Sequence, residues 1–343
     1  MTYLRTSLAE YFRAHWYAPR VPWYLLPLAV LFGAAAALRR GLYVRGLLQV
    51  TRVEARVVVV GNITVGGSGK TPLVAWLAGR LAGEGVRVGI VTRGYGGENR
   101  RPRILDTDSV DAGDEALWLA RETDVPVAVG RDRPAAARLL IAAHHPDIIL
   151  SDDGLQHYRL ARDVEIVAVD GGRGFGNGAL LPAGPLREPP ARLASADAVV
   201  VKGEGAPPLP SDVPALRMRY TLADAVPLVG GAAVPLAEFR GRKVAALAAI
   251  ADPESFFHAL EAAGLSVERH PLPDHADRVK IAEALAAIGN EHSILMTDKD
   301  AAKLAVPSAN TWRVPLTLAL PEADAARLIT LVRGANEETE EEK

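Results

Sequence analysis

Cysteine is absent from the 343 residues, which removes disulfides, cysteine-ligated zinc, iron–sulfur clusters and thiol catalysis together. The same absence fits a reducing cytoplasm. Net charge is close to zero, at −2, so nothing global points to nucleic acid as a partner. Internal repeats are lacking, and no motif marks an obligate protein partner. What the chain does have is 31 glycines and 24 prolines, spread so as to imply tight loops between short elements. Its length suffices for one large or two modest domains with proper cores.

Lysine is missing from the first 56 residues, yet that stretch carries eight arginines against Glu10 and Glu54, a local net of +6. Such a segment suits an anionic membrane face or a phosphorylated ligand. A solvated helix face explains the charge as well. Residues 21–38 form an 18-residue run without a charge, closed by Arg39 and Arg40. As a continuous helix it would reach roughly 27 Å, marginal for a bilayer core, and Pro27 and Gly33 are expected to interrupt it. Upstream, Tyr11, Phe12, Trp16 and Tyr17 lie among Arg13 and Arg20, the mixture of rings and cations that an interfacial helix needs. The alternatives are a buried core helix and a cleaved signal peptide. A long n-region containing Glu10 is unlike a signal peptide, and the nucleotide site that follows belongs in the cytoplasm. The expectation is a membrane-associated segment.

Residues 56–60 (RVVVV) read as a strand buried on both faces. They lead into GNITVGGSGKTP, after which Leu73, Val74, Leu77 and Leu81 recur with helical spacing. Strand, glycine-rich loop, GKT and helix are the context of a P-loop. Thr64, Val65, Gly66, Gly67, Ser68, Gly69, Lys70 and Thr71 are the expected nucleotide-binding residues. Glycines let amides close on phosphate oxygens, and the helix N-terminus adds partial positive charge. Lys70 neutralises the β- and γ-phosphates, and the Thr71 hydroxyl ligates Mg²⁺. Strict spacing would put a glycine where Thr64 stands, so the loop is a variant of the GGxGKT kind.

A second strand (86–92) ends in Arg93-Gly94-Tyr95, with Arg93 placed to contact phosphate or to cap the sheet. Residues 147–151 (DIILS) form a strand followed by Asp152 and Asp153, the Walker B arrangement in which a carboxylate holds Mg²⁺. Adjacent acids point opposite ways on a strand, so one faces the metal and the other the loop. Asp114 opens a helical pattern, where an N-cap explains it as well as catalysis does. His275, in Pro273-Asp274-His275, reads equally as a solvated loop histidine. Thr297-Asp298-Lys299-Asp300 is out of register by one residue with the guanine-specificity motif NKxD, which leaves Lys299 to reach a cleft or to cap a helix over 300–304.

Strand-like runs at 125–129, 164–169 and 196–201, with a helix over 134–143, predict an α/β fold with a mostly parallel sheet and right-handed crossovers. The stretch 203–210 (GEGAPPLP) reads as a linker. A smaller α/β domain follows, with strands at 244–250 and 293–297 and helices at 253–263, 279–288 and 321–332. The expected organisation is a membrane-associated segment (1–40), a P-loop kinase domain (41–205), a C-terminal α/β domain (206–333) and an acidic disordered tail (334–343).

Taken together, VGNITVGGSGKTP, TRGYGG, GDEALWLA, the long block 151–188 (SDDGLQHYRL through LLPAGPLRE), PDH and TDKDAAKL resemble the tetraacyldisaccharide 4′-kinase family of lipid A biosynthesis. The resemblance covers nearly the whole chain. It implies transfer of the ATP γ-phosphoryl group to the 4′-hydroxyl of an acylated disaccharide 1-phosphate. It further implies Mg²⁺ as cofactor and residence on the cytoplasmic face of a Gram-negative inner membrane. It implies that Asp114 pairs with His275 to activate the acceptor hydroxyl, and that the P-loop and Asp152/Asp153 serve nucleotide and metal. His275 lies beyond the linker, so domain closure would be needed to assemble the site. The family's TEKD stands here as TDKD, a change of little weight. A membrane-recruited switch ATPase is the competing reading of the loop and the basic segment alone.

Overall fold

The computed structural model describes residues 15–97, 101–106, 109, 111–250, 252–274, 276–289, 292–304 and 308–334. His275 and the acidic tail therefore lie outside the described residues. The chain divides into two compact units, residues 1–218 with 320–343, and Arg219–Ala319.

The first unit begins with a 3₁₀ turn, Trp23–Leu25, that runs into helix α1, Leu26–Val44. The expected interruptions do not occur. Pro27 falls in the first turn, where its missing N–H would be unpaired anyway. Gly33 is interior, and its missing side chain makes room for Leu180, whose Cδ1 lies 2.6 Å from where a Cβ would stand. The helix continues through Arg39 and Arg40. Of its residues only Ala29 is buried, while Val30, Leu31 and Leu38 are 63–68% exposed. Residues Trp23–Val44, with a mean hydropathy of 1.5, are long and apolar enough to cross a membrane by length and composition.

Strands β1 (Arg56–Gly61), β2 (Val88–Thr92), β3 (Arg103–Ile104), β4 (Val127–Val129), β5 (Ile148–Asp152), β6 (Val164–Asp170), β7 (Ala198–Lys202) and the first half of β8 (Ala215–Leu222) make the unit's sheet. Their order is β3-β4-β2-β5-β1-β6-β7-β8, parallel throughout except at the β3 edge. β1 is central, between β5 and β6, and its run of valines is buried on both sides because helices cover both faces. Helices α2 (Lys70–Gly83), α3 (Asp114–Glu122) and α4 (Arg133–His144) supply the crossovers. On one face α4 sets Ala136, Ala137 and Leu140 against Val57, Val59, Val91 and Ile149. Another cluster joins Ile63, Leu155 and Leu186 to Val167, Val169, Val199 and Val201.

The 203–210 stretch connects β7 to β8 inside this unit, so the passage between units comes later than expected, at Met218. The last helix (Glu322–Arg333), expected in the second domain, belongs to the first. Its carbonyls at Leu331 and Val332 accept from the Arg56 guanidinium of β1, and Asp324 accepts from the Arg217 amide.

The second unit holds β9 (Val226–Pro227), β10 (Lys243–Ala248), α5 (Pro253–Ala262), β11 (Ser266–Pro271), α6 (Arg278–Ile288), β12 (Ser293–Met296), α7 (Asp298–Ala301), β13 (Thr311–Arg313) and β14 (Leu316–Ala319). Its sheet runs β11-β10-β12-β13-β9, parallel but for β9. β14 pairs antiparallel with the second half of β8. The TDKD segment is structural here. Thr297 caps α7, which begins at Asp298 rather than at Asp300. Asp300, fully buried, accepts from the Ala249 amide and the Thr297 hydroxyl, while Asp298 pairs with Arg313 at 2.8 Å.

Candidate active site

The phosphate loop is shaped by backbone contacts on both flanks. The Val65 amide donates to the Pro185 carbonyl at 2.8 Å, and the Arg187 amide to the Ile63 carbonyl at 2.7 Å. Thr64 bridges Leu186. Gln156 donates to the Asn62 carbonyl at 3.0 Å and to Glu188 at 2.8 Å. Gly66 and Gly69 have φ of 119° and 82°, a region closed to most side chains, which is why the loop needs glycine there. Gly69 is the N-cap of α2, and Lys70 and Thr71 are its first two residues. The Ser68 hydroxyl is buried in the loop without a protein partner. A helix N-terminus preceded by turned amides is a ready anion site.

β5 brings the two acids to this helix end. Asp152, its last residue, is 1% exposed, and its Oδ2 accepts from the Thr71 hydroxyl at 3.4 Å. Its Oδ1 is buried with no partner. Burial, then the charge of Glu115, pushes the carboxyl up to about 7, against the pull of Lys70. Asp153 follows with φ of 47° and turns its carboxylate the other way. There Lys70 Nζ stands at 3.6 Å and the Arg187 guanidinium at 3.1 Å. Burial works to raise the Asp153 carboxyl, but Lys70, Arg187 and Arg133 together hold it below its usual range. The strand alternation expected of the two acids does not apply, because β5 ends at Asp152 and Asp153 lies in the turn beyond it.

Glu188, Gln156 and Tyr158 were quoted in the sequence only inside the 151–188 block, and Arg133 was missed altogether. Arg133, the first residue of α4, is 2% exposed and donates to the Ser151 hydroxyl at 2.7 Å and to the Asp153 carbonyl at 3.1 Å. Burial lowers the pKa of its guanidinium. It fixes the backbone between the two acids. Glu188 gathers Gln156, the Tyr158 hydroxyl at 2.8 Å and Arg192 at 3.3 Å, and burial beside Glu188 raises Tyr158 to about 12. His157 is pushed down to about 4 by burial and by the arginines around it. Arg93 is exposed beyond the end of β2.

Asp114 is not the N-cap of α3. Gly113 holds that position, because a Cβ there would overlap the Tyr95 carbonyl oxygen, and Asp114 is the first residue inside the helix. It is exposed at the helix N-terminus, where a carboxylate is favoured. Neighbouring Glu115 acts electrostatically on Asp152, which places this helix end near the loop. His275 lies outside the described residues.

A family model described as tetraacyldisaccharide-1-P 4′-kinase matches residues 21–333, a span that takes in α1, the phosphate loop, both acids and the whole second unit. The chain belongs to the tetraacyldisaccharide-1-P 4′-kinase family. Among curated members, the tetraacyldisaccharide 4′-kinase of Chromobacterium violaceum is 48% identical over 326 residues, 89% of this chain and 93% of that one. That of Herminiimonas arsenicoxydans is 42% identical over 356 residues, covering 96% and 97%. A solved structure of the family, LpxK from Aquifex aeolicus in complex with ATP, superposes with a TM-score of 0.76 at 28% identity, covering 90% of this chain and 97% of that one.

The donor set around Thr71 fits Mg²⁺. A hard dication that keeps its waters takes one or two protein oxygens plus phosphate oxygens. The partnerless Oδ1 of Asp152 beside the Thr71 hydroxyl supplies that number. Among the described residues no group of three or more His, Asp or Glu forms a metal cage, as this kind of site requires none.

Proposed function

We infer that this chain is an ATP-dependent kinase that transfers the γ-phosphoryl group of ATP to the 4′-hydroxyl of a tetraacyldisaccharide 1-phosphate in lipid A biosynthesis. The observation that carries the reading is the family match over residues 21–333. The product is the bisphosphorylated precursor, lipid IVA.

The geometry of the loop and the two acids supports the roles proposed on the nucleotide side, and the family resemblance supports those proposed for Asp114 and His275. Amides of Gly66, Gly67 and Gly69 would cradle the phosphates at the N-terminus of α2, those of Val65 and Ser68 being engaged in shaping the loop. Lys70, 3.6 Å from Asp153 at the start of α2, would neutralise the β- and γ-phosphates. Thr71 and Asp152 would hold Mg²⁺, and Asp153 would keep Lys70 and Arg187 oriented. Bound there, Mg²⁺ would offset charge on the phosphate oxygens. By the family resemblance, Asp114 and His275 would serve the acceptor, with the histidine taking the hydroxyl proton as the new O–P bond forms and ADP departs. The N-terminal segment seats the protein on the cytoplasmic face of the Gram-negative inner membrane, a placement supported by the exposed apolar face of α1 and by the need for ATP.

The test is transfer of label from γ-labelled ATP to tetraacyldisaccharide 1-phosphate in detergent micelles with Mg²⁺. Label on the lipid, lost in Lys70→Ala, supports the reading. ATP hydrolysis without labelled lipid overturns it.

A further inference from the structure

The segment just ahead of α1 is fastened to the loop that follows β6. The Asn177 amide donates to the Trp16 carbonyl at 2.7 Å, and its side chain donates to the carbonyls of His15 at 3.2 Å and Ala183 at 2.9 Å. The Trp16 indole donates to the Pro182 carbonyl at 2.9 Å. A Cβ on Gly176 would overlap the Trp16 carbonyl oxygen, so glycine is what allows the two backbones to meet.

This fastening delivers Tyr17 to a definite place. The Arg173 guanidinium lies over the Tyr17 ring, 5.8 Å from its centroid. Arg173 is itself anchored at the end of β6, its amide donating to Asp170 at 3.0 Å. Both groups converge on the phosphate loop: the Arg173 terminal nitrogen and the Tyr17 hydroxyl each stand 3.9 Å from where a Cβ of Gly66 would be. Gly66 has the loop's most unusual backbone conformation, and its carbonyl also accepts from Asn62 at 3.4 Å.

We propose that Tyr17 and Arg173 are positioning residues of the phosphate loop, the ring holding the guanidinium against Gly66. The N-terminal segment thereby shapes the nucleotide site as well as facing the membrane. A planar cation is suited to the task, since it stacks on the ring and adds positive potential beside an anion-binding loop. The proposal rests on the reading of this loop as an ATP site.

The test is the dissociation constant of a fluorescent non-hydrolysable ATP analogue with Mg²⁺, measured on full-length protein without lipid. A protein that binds the analogue but labels no lipid would defeat the kinase reading and leave this readout intact. Tyr17→Ala is expected to weaken binding about fivefold and Arg173→Gln about tenfold. Tyr17→Phe restores most of the affinity, because it keeps the ring face. The double variant binds no more weakly than Arg173→Gln alone, because one unit has been broken. Wild-type affinity in Tyr17→Ala, or additive losses in the double variant, overturns the proposal. Should Tyr17→Ala fail to fold, Arg173→Lys decides: it keeps the charge but not the stacked plane, so undiminished affinity overturns the proposal and a severalfold loss sustains it.

Discussion

Lys70 Nζ lies 3.6 Å from Asp153 Oδ1, and the Arg187 guanidinium approaches the same carboxylate at 3.1 Å. One acid thus holds two cations at the mouth of the phosphate loop. It stays ionised because their charges outweigh the effect of burial. Removing Lys70 takes away the only cation that begins α2. Lys70→Ala is expected to lower kcat/KM for ATP by about 100-fold or more, in line with the loss of one preorganised charge-stabilising group. Labelled phosphate transfer at saturating lipid measures it, and activity within tenfold of the parent would remove Lys70 from the chemistry. Asp153→Asn should lower kcat while leaving ATP affinity intact or slightly improved, since an anion near the phosphates is gone.

Asp152 makes stability depend on pH. Its folded-state carboxyl sits at about 7 against an ordinary 3.8, so the folded state favours the neutral form. The contribution is fully present below about 3.8 and is lost as pH rises through about 7. Three units correspond to about 4 kcal/mol as an upper bound. Without nucleotide or metal, melting temperature should fall between pH 5.5 and 8, and Asp152→Asn should flatten that fall. Added Mg²⁺ and nucleotide should restore stability at pH 8, since the ionised form gains a partner. Parallel melting curves of parent and variant with the same pH slope would show that the carboxyl is not buried as described.

The strand–glycine loop–helix of 56–81 was legible because several signals agree there: a β-branched run, glycines and helical spacing. Strand alternation suggested that Asp152 and Asp153 differ in direction, but β5 ends at Asp152 and Asp153 takes its direction from a left-handed turn. Other features were not legible. The turn at Asp153 depends on Arg133, 20 positions away, and no local pattern marks an arginine that is buried for its hydrogen bonds. The last helix has an ordinary amphipathic pattern, so its contacts with residues such as Arg56, Arg80 and Arg217 are what reveal which unit it joins. Gly33 looked like a helix breaker, and its reason is a side chain from residue 180. Short edge strands such as β3 and β9 carry too few residues for a period to register.

Arg133 gives a separable test of stability. Its guanidinium satisfies the Ser151 hydroxyl and the Asp153 carbonyl in a buried setting. Arg133→Met fills similar space but leaves those groups without their donor, a loss of about 2–4 kcal/mol. Arg133 reaches its two acceptors from two separate nitrogens, whereas lysine's donors all sit on one, so Arg133→Lys should recover little. Denaturant unfolding measures the loss, and kcat should drop with it because Asp153 no longer holds its turn. A variant as stable as the parent would show that water replaces the guanidinium at no cost.

The exposed face of α1 can be altered without touching the fold. Val30 and Leu31 are 68% and 66% exposed, so replacing them with glutamate costs the folded unit little, within about 0.5 kcal/mol. On a bilayer the same change is expensive. A charge at the centre of an apolar helix costs about 2.5–3.5 kcal/mol per residue on insertion scales. Leu31→Glu is therefore expected to lower co-sedimentation with anionic phospholipid vesicles by about tenfold or more, with an unchanged melting temperature. Arg39 and Arg40 tie the far end of the helix to the Gln156 carbonyl and the Ser195 hydroxyl, so the segment should stay docked in the variant. Undiminished sedimentation would mean that the cations of the basic segment, rather than the apolar face, hold the protein on the lipid. Raising the salt would then release it.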